Sequence, residues 1–373
     1  MKRPLNIVIF GLSISSSWGN GHATVYRALM RALDARGHNV LFLERDVPWY
    51  AAHRDQPISA AGRLRLYTSI AELRKQYAAD VQNADLCIVG SYVPEGCSVA
   101  EWVTQTAEGV TAFYDIDTPI TVSKLESGDI DYISPKLIPR FDLYLSFTGG
   151  PVLRLIENKY GSPRARAFHC CVDPSLYFPE RQEHRWDLGY MGTYSEDRQA
   201  SLDKLLFEPA RCRKLLRAIV AGPLYPPELV WPANVEHIEH LAPGKHRRFY
   251  NEQKFTLNLT RADMIAAGYS PSVRLFEAAA CGTPIVTDYW AGLETFFTPG
   301  AEILVASTAT DVVSYLSEIT ETQRRQIGDR AREKVLARHT SEHRARELEA
   351  LVAQVLGQKT APPAETSLVE AIA

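Results

Sequence analysis

The chain has 373 residues, of which 46% are hydrophobic, and 41 Lys and Arg against 44 Asp and Glu leave a net charge of −3 at pH 7. That length suits two domains of roughly 170 residues each. The near-balanced charge excludes a global nucleic-acid or anionic-lipid footprint, and the composition excludes an intrinsically disordered chain.

Six cysteines, Cys87, Cys97, Cys170, Cys171, Cys212 and Cys281, form no CxxC pair and no zinc-like spacing, which fits reduced thiols in a cytoplasmic protein. Met1-Lys2-Arg3 and the apolar stretch after it copy the first parts of a secretion signal. Trp18-Gly19-Asn20-Gly21-His22 then supplies no small-residue cleavage site and leads into a helical pattern. No apolar run reaches the ~18 residues of a membrane span. The expectation is a cytoplasmic protein without a membrane span.

The first apolar run, residues 6–11, reads as a strand, and after a polar loop Val25, Leu29, Ala32 and Leu33 recur at helical spacing. Gly37 stops that helix, and residues 40–43 form the next buried strand. Further strand-like runs come at 86–89, 110–114, 143–147 and 165–172. A second series starts at 188–191 and continues at 219–221, 235–238, 255–259, 284–287 and 303–305. Such alternation of buried runs with helical segments predicts parallel sheets covered on both faces. Asp173-Pro174, Pro179 and a charged cluster interrupt the pattern between 172 and 185. We therefore expect an N-terminal domain at 1–172 and a C-terminal domain at 186–337. A last helix at 338–356 follows, capped by Thr340 and striped by Ala345, Leu348, Leu351, Val352 and Val355. The tail at 357–373, with Pro362-Pro363 and no aromatic residue, reads as disordered.

The most informative stretch is Gly268-Tyr269-Ser270-Pro271-Ser272-Val273-Arg274-Leu275-Phe276-Glu277-Ala278-Ala279-Ala280-Cys281-Gly282-Thr283-Pro284. Ser270 as N-cap, Pro271 at the first position and Gly282 after the last turn punctuate a short helix. Free amides at Ser272 and Val273, with the helix dipole, favour an anion such as a phosphate. Arg274 and Glu277 share a face. Arg261 leaves the preceding strand near the same helix start, at the carboxyl end where ligands of open α/β sheets bind. Arg261 and Arg274 together are candidates for holding a diphosphate; a solvated Arg–Glu pair is the plainer alternative.

The run from Arg274 to Val286 resembles the nucleotide-sugar signature of GT-B glycosyltransferases. With Phe113-Tyr114-Asp115-Ile116-Asp117-Thr118-Pro119 and Leu259-Thr260-Arg261-Ala262-Asp263-Met264 in order, the chain is similar over residues 5–355 to the CgeB-like (spore maturation protein) glycosyltransferases. The resemblance implies an α/β GT-B fold: two Rossmann-like domains with parallel sheets facing a central cleft, and a C-terminal helix crossing back to the N-terminal domain. It implies a nucleotide-diphosphate sugar on the C-terminal domain and an acceptor on the N-terminal one. Glu277 would bond the donor ribose, and the Ser272 and Val273 amides, beside Ser270, the diphosphate. Family 4 retaining members place a second Glu eight residues before the first; here that position is Tyr269.

Gly19-Asn20-Gly21-His22 with Glu44 beyond it imitates a dinucleotide fingerprint but lacks the third glycine. In GT-B enzymes such a long loop lines the cleft, so Gly19 and Gly21 become cleft residues. His22 is then a proton acceptor or sugar contact, or else an ordinary polar cap residue. Asp115 and Asp117 close a strand, and both are expected at the cleft. Asp117, extended before Thr118-Pro119, is an acceptor contact or a catalytic base, or else a turn cap. An Asp-x-Asp of this kind also serves metal-dependent GT-A enzymes, but those lack a second α/β unit with an anion-binding helix. Arg198 resembles the phosphate-holding basic residue after the first C-domain strand, with Ser195 a possible hydroxyl contact, and His240-Leu241 stands where the nucleobase lies. The expectation is metal-independent, cofactor-free transfer from a nucleotide sugar to a glycan, lipid-linked or protein acceptor. The alternatives are a catalytically silent nucleotide-sugar or partner binder on the same fold, or a nucleotide-sugar epimerase.

Overall fold

Successive side chains of a strand face opposite ways, so a strand apolar at every position needs cover on both sides. β1 (Asn6–Gly11) meets that condition from Ile7 to Phe10. Ile7 and Ile9 pack with Val25 and Leu29 of the helix His22–Ala35, while Val8 and Phe10 pack on the other face with Leu73, Val99 and Trp102. Gly37, at φ +85°, ends that first helix.

The computed structural model describes residues 3–55 and 63–360. β1 lies within a sheet ordered β3-β2-β1-β4-β5-β6-β7, formed with β2 (Asn39–Arg45), β3 (Leu64–Tyr67), β4 (Leu86–Gly90), β5 (Val110–Asp115), β6 (Leu143–Ser146) and β7 (Ala165–Ala167). A second sheet, ordered β10-β9-β8-β11-β12-β13, contains β8 (Trp186–Met191), β9 (Ala218–Ala221), β10 (Val235–Ile238), β11 (Gln253–Asn258), β12 (Ile285–Thr287) and β13 (Leu304–Val305). Every pairing in both sheets is parallel. Strand order reverses at β1 and β4 in one sheet and at β8 and β11 in the other, and open sheets bind ligands at the carboxyl ends of such switch points.

The sequence reading missed β3, whose Leu64 and Tyr67 are buried while Arg65 is exposed. Four residues carrying an arginine make too weak an apolar run to stand out. The opposite error concerns 165–172: pairing stops at Ala167, although Phe168, Cys170, Cys171 and Val172 are buried. These residues lie under the C-terminal crossing, so their hydrophobicity marks burial and not a ladder.

At that crossing Val172 pairs with Thr340 in an isolated parallel bridge: the Val172 amide donates to the His339 carbonyl (3.1 Å), and the Ser341 amide donates to the Val172 carbonyl (2.9 Å). The helix Ser341–Thr360 follows, with the Thr340 hydroxyl accepting from the His343 amide at 3.4 Å. Ala345, Leu348, Val352 and Val355 are buried as expected, and each buried Leu or Val contributes about 1.5–3 kcal/mol. The helix docks on His22–Ala35. There Arg36 pairs with Glu342 (2.6 Å) and with Glu349, and Glu349 also meets His38 at 2.8 Å. The helix passes the expected end at 356 and includes residues 357–360, which the tail reading had made disordered; 361–373 lie outside the described residues.

The helices Val273–Ala280 and Glu321–Arg338 pack together at a bare backbone contact. A Cβ on Gly328 would stand 2.1 Å from the Gly282 carbonyl oxygen. In an exposed helix Gly→Ala stabilises by about 1 kcal/mol; here the overpacking reverses the sign. Gly328→Ala should lower the unfolding free energy by about 1–3 kcal/mol in urea titration, and a stabilised variant would refute the contact.

Candidate active site

The loop after β1 is fixed from below by one carboxylate. Glu44, at the end of β2 and fully buried, accepts from the Ser13 and Ser15 hydroxyls and from the amides of Ile14 (2.8 Å) and Ser15 (3.0 Å). This residue completed the imitation of a dinucleotide site in the sequence, and it is used up inside the loop. Asn20 donates to the Ser13 carbonyl (3.0 Å) and accepts from the His22 amide (3.2 Å), which ties the start of the first helix to the loop.

Asp117 follows β5 at the start of the helix Thr118–Ser127, yet its side chain makes no capping bond. The turn-cap reading therefore does not hold. Its Oδ2 accepts from the Tyr92 hydroxyl at 2.9 Å and lies 3.8 Å from His22 Nε2. Burial pushes the Asp117 carboxyl up, but the His22 imidazole, the Tyr92 hydroxyl and the Arg261 charge outweigh burial and hold it below its usual range. Asp115 is the correction: it does not line the cleft. It is fully buried behind the wall, accepting from the Tyr144 and Thr121 hydroxyls and from the Asp117 amide (3.3 Å). Burial raises its carboxyl to about 6 against those bonds. Of the two carboxylates only that of Asp117 lines the cavity between the sheets.

On the opposite wall the short helix starts at Val273, with Ser272 at the N-cap. Ser270 is therefore not the cap, and Pro271 lies before the first turn; the amides without an intrahelical partner are those of Ser272, Val273 and Arg274. Ser270 instead bonds the Thr148 hydroxyl at 2.8 Å. Arg274 and Glu277 are both buried and make no surface pair. Glu277 accepts from the Tyr250 hydroxyl at 3.0 Å and, across the cleft, from the Thr24 hydroxyl at 3.3 Å. Arg261 faces Asp197 at 3.7 Å, and Arg198 donates to the Thr193 carbonyl at 2.6 Å. The Nε atoms of both arginines are buried without a hydrogen-bond partner.

Between the walls lies a cavity of about 600 Å³, within the usual range for small-molecule sites. Gly19, Gly21, His22 and Asp117 line one side, and Arg198, Leu241, Arg261, Ser270, Ser272, Val273, Arg274 and Glu277 line the other. Trp18 stacks on His53 and meets His240 across the cleft at 4.9 Å between ring centres. Tyr269 is absent from the lining; Cβ atoms on Gly150 and Gly292 would each lie 2.4 Å from its ring, so it is packed between those two backbones. The sequence reading missed Tyr92, Thr24 and Tyr250, whose residue types carry no signal of a site on their own. Among the described residues no group of three or more His, Cys, Asp or Glu side chains is placed to hold a metal ion, and no helix is long and apolar enough to cross a membrane.

Residues 198–350 match a family model described as glycosyl transferase-like. No curated protein matches the chain. Among solved structures it is similar to sucrose-phosphate synthase from Thermosynechococcus elongatus (14% identity, 96% of this chain and 100% of that one, TM-score 0.68). It is similar to Anabaena Alr3699/HepE in complex with UDP and glucose (12% identity, 94% and 99% coverage, TM-score 0.69). A third is an alpha-glucosyltransferase in complex with UDP and a 13-mer DNA (13% identity, 94% and 100% coverage, TM-score 0.69). The fold is thus the GT-B fold of glycosyltransferases over nearly the whole chain.

The His22–Asp117–Tyr92 contacts make a pH prediction. A depressed carboxyl adds stability that is complete above its ordinary value near ~3.9 and is lost as pH falls through the depressed one. Tyr92→Phe removes one of the groups holding Asp117 down, so its titration midpoint, followed by carboxyl ¹³C NMR, should rise toward the ordinary value. An unmoved midpoint would show that the Tyr92 hydroxyl does not hold it.

Proposed function

We propose that this chain transfers the sugar of a nucleotide-diphosphate donor, foremost a UDP-sugar, to a hydroxyl of an acceptor that enters past the N-terminal wall. One observation carries the reading: the cavity sets the His22–Asp117 pair against Arg261, Arg274 and the start of the helix Val273–Ala280. UDP is favoured because HepE and the alpha-glucosyltransferase hold it in their complexes. The ordered motifs at 113–119, 259–264 and 274–286 support a CgeB-like place among GT-B proteins.

In this reading His22 takes the acceptor proton through the ring nitrogen turned away from Asp117, whose carboxylate steadies the imidazolium. The acceptor oxygen bonds the anomeric carbon as the bond to the diphosphate breaks, inverting that centre. The leaving charge falls on preorganised donors, Arg261, Arg274 and the first-turn amides, without a metal. Glu277, already held by Tyr250, presents its carboxylate to the ribose. Packing of Tyr269 between Gly150 and Gly292 supports this assignment, since no carboxylate reaches the sugar from that position. The same observation favours a second reading, a nucleotide-sugar binder without turnover.

Thermal unfolding with UDP-, dTDP- and GDP-sugars tests the donor, because a ligand bound only by the folded state raises the melting temperature. Release of nucleoside diphosphate then separates the transferase from the silent binder. His22→Ala should cut turnover by about 10²–10⁴-fold and leave nucleoside diphosphate affinity unchanged. Absence of binding to every donor would refute the reading, and binding without turnover would favour the second one.

A further inference from the structure

Asn258, the last residue of β11, is fully buried behind the donor wall and lines no part of the cavity. Its Oδ1 accepts from Arg274 Nη1 (2.7 Å) and from the Ser272 hydroxyl (2.7 Å), and its Nδ2 donates to the hydroxyls of Thr287 (2.9 Å) and Thr260 (3.4 Å). A guanidinium can only donate, so the amide has one workable orientation.

Each bond on Oδ1 has a consequence at the cavity. Arg274 is gripped at two further points: its Nε donates to the Met191 carbonyl, and its guanidinium carbon stands 4.8 Å from the Tyr190 ring centre. Nη2 is left beside Gly192, where a Cβ would lie 3.0 Å from it and 2.4 Å from the Tyr190 hydroxyl oxygen. Gly192 and Arg274 both line the cavity. Ser272 occupies an N-cap, where serine ordinarily accepts from a first-turn amide. Here its hydroxyl donates to Asn258 and makes no capping bond. The first-turn amides are thereby left for a ligand.

We propose that Asn258 is the positioning residue of the diphosphate subsite. It locks the Arg274 guanidinium with one nitrogen toward the donor, and it turns the Ser272 hydroxyl away so that the helix amides stay open to the phosphates. This rests on the nucleotide-sugar reading of the cavity. Asparagine suits the post because its amide is neutral: an aspartate would also accept from Arg274, but it would cancel the charge the diphosphate needs and lose the donor to Thr287.

The test compares a nucleoside diphosphate with its parent nucleoside, UDP against uridine first, followed by ligand-observed NMR and calorimetry. Asn258→Asp should weaken the diphosphate at least tenfold, raise the donor KM, and leave nucleoside binding within twofold of the parent chain. Asn258→Ala, which frees Arg274 without adding charge, should show the same selectivity to a smaller degree and serves if the Asp variant fails to fold by circular dichroism. Equal weakening of nucleoside and diphosphate, or no weakening in either variant, would overturn the proposal. Failure of the unaltered chain to bind any nucleoside diphosphate would remove the nucleotide-sugar reading itself.

Discussion

One helix without a solvent face governs this molecule. From Arg274 to Ala280 every residue of the helix Val273–Ala280 is buried. Its axis is set by β11, β12 and the helix Glu321–Arg338, with Gly328 allowing the last to touch backbone. A buried helix that carries Arg274 and Glu277 must supply both with partners, since isolated charge is expensive in a protein interior. The Met191 carbonyl, Tyr190 and Asn258 serve the arginine, while Tyr250 and Thr24 serve the glutamate. Packing and donor-wall chemistry are therefore one set of constraints.

The other wall is built on different physics. Its groups sit on loops anchored from beneath, by Glu44 under the segment 12–21 and by Asp115 under the turn to Asp117. Both supports are fully buried carboxylates surrounded by hydroxyls and amides. Contacts between the two sides include Thr24 with Glu277, Thr148 with Ser270, the Gly149 amide with the Tyr269 carbonyl, Trp18 with His240 and, below the cavity, an apolar cluster that joins Phe168 and Cys170 to Phe276 and Phe296.

Much of the fold was legible because strands covered on both faces are nearly continuous apolar runs. Leu64–Tyr67 escaped notice for want of such a run, and residues 168–172 were misassigned because burial without pairing looks the same in sequence. Ser270 and Ser272 flank Pro271, and proline's preference for the first turn pointed to the wrong one; the helix starts later, where Ser272 is tied to Asn258. Donor-wall residues were readable since they crowd into one segment with strong local punctuation. The partnership of His22 with Asp117 was not, because it is made by β1 and β5 lying two strands apart in the sheet. Asp115 and Asp117 looked equivalent on the page, yet the strand's last position is swallowed by the core while the residue two further on emerges.

The docking of Ser341–Thr360 on the first helix bears on how the polypeptide is made. Arg36 and Glu349 are separated by 313 positions, so at ribosomal rates of about 5–20 residues per second the flank of the first helix waits roughly 15–60 s for its cover. Throughout that interval the side of the first helix that packs against Ser341–Thr360 lacks that cover.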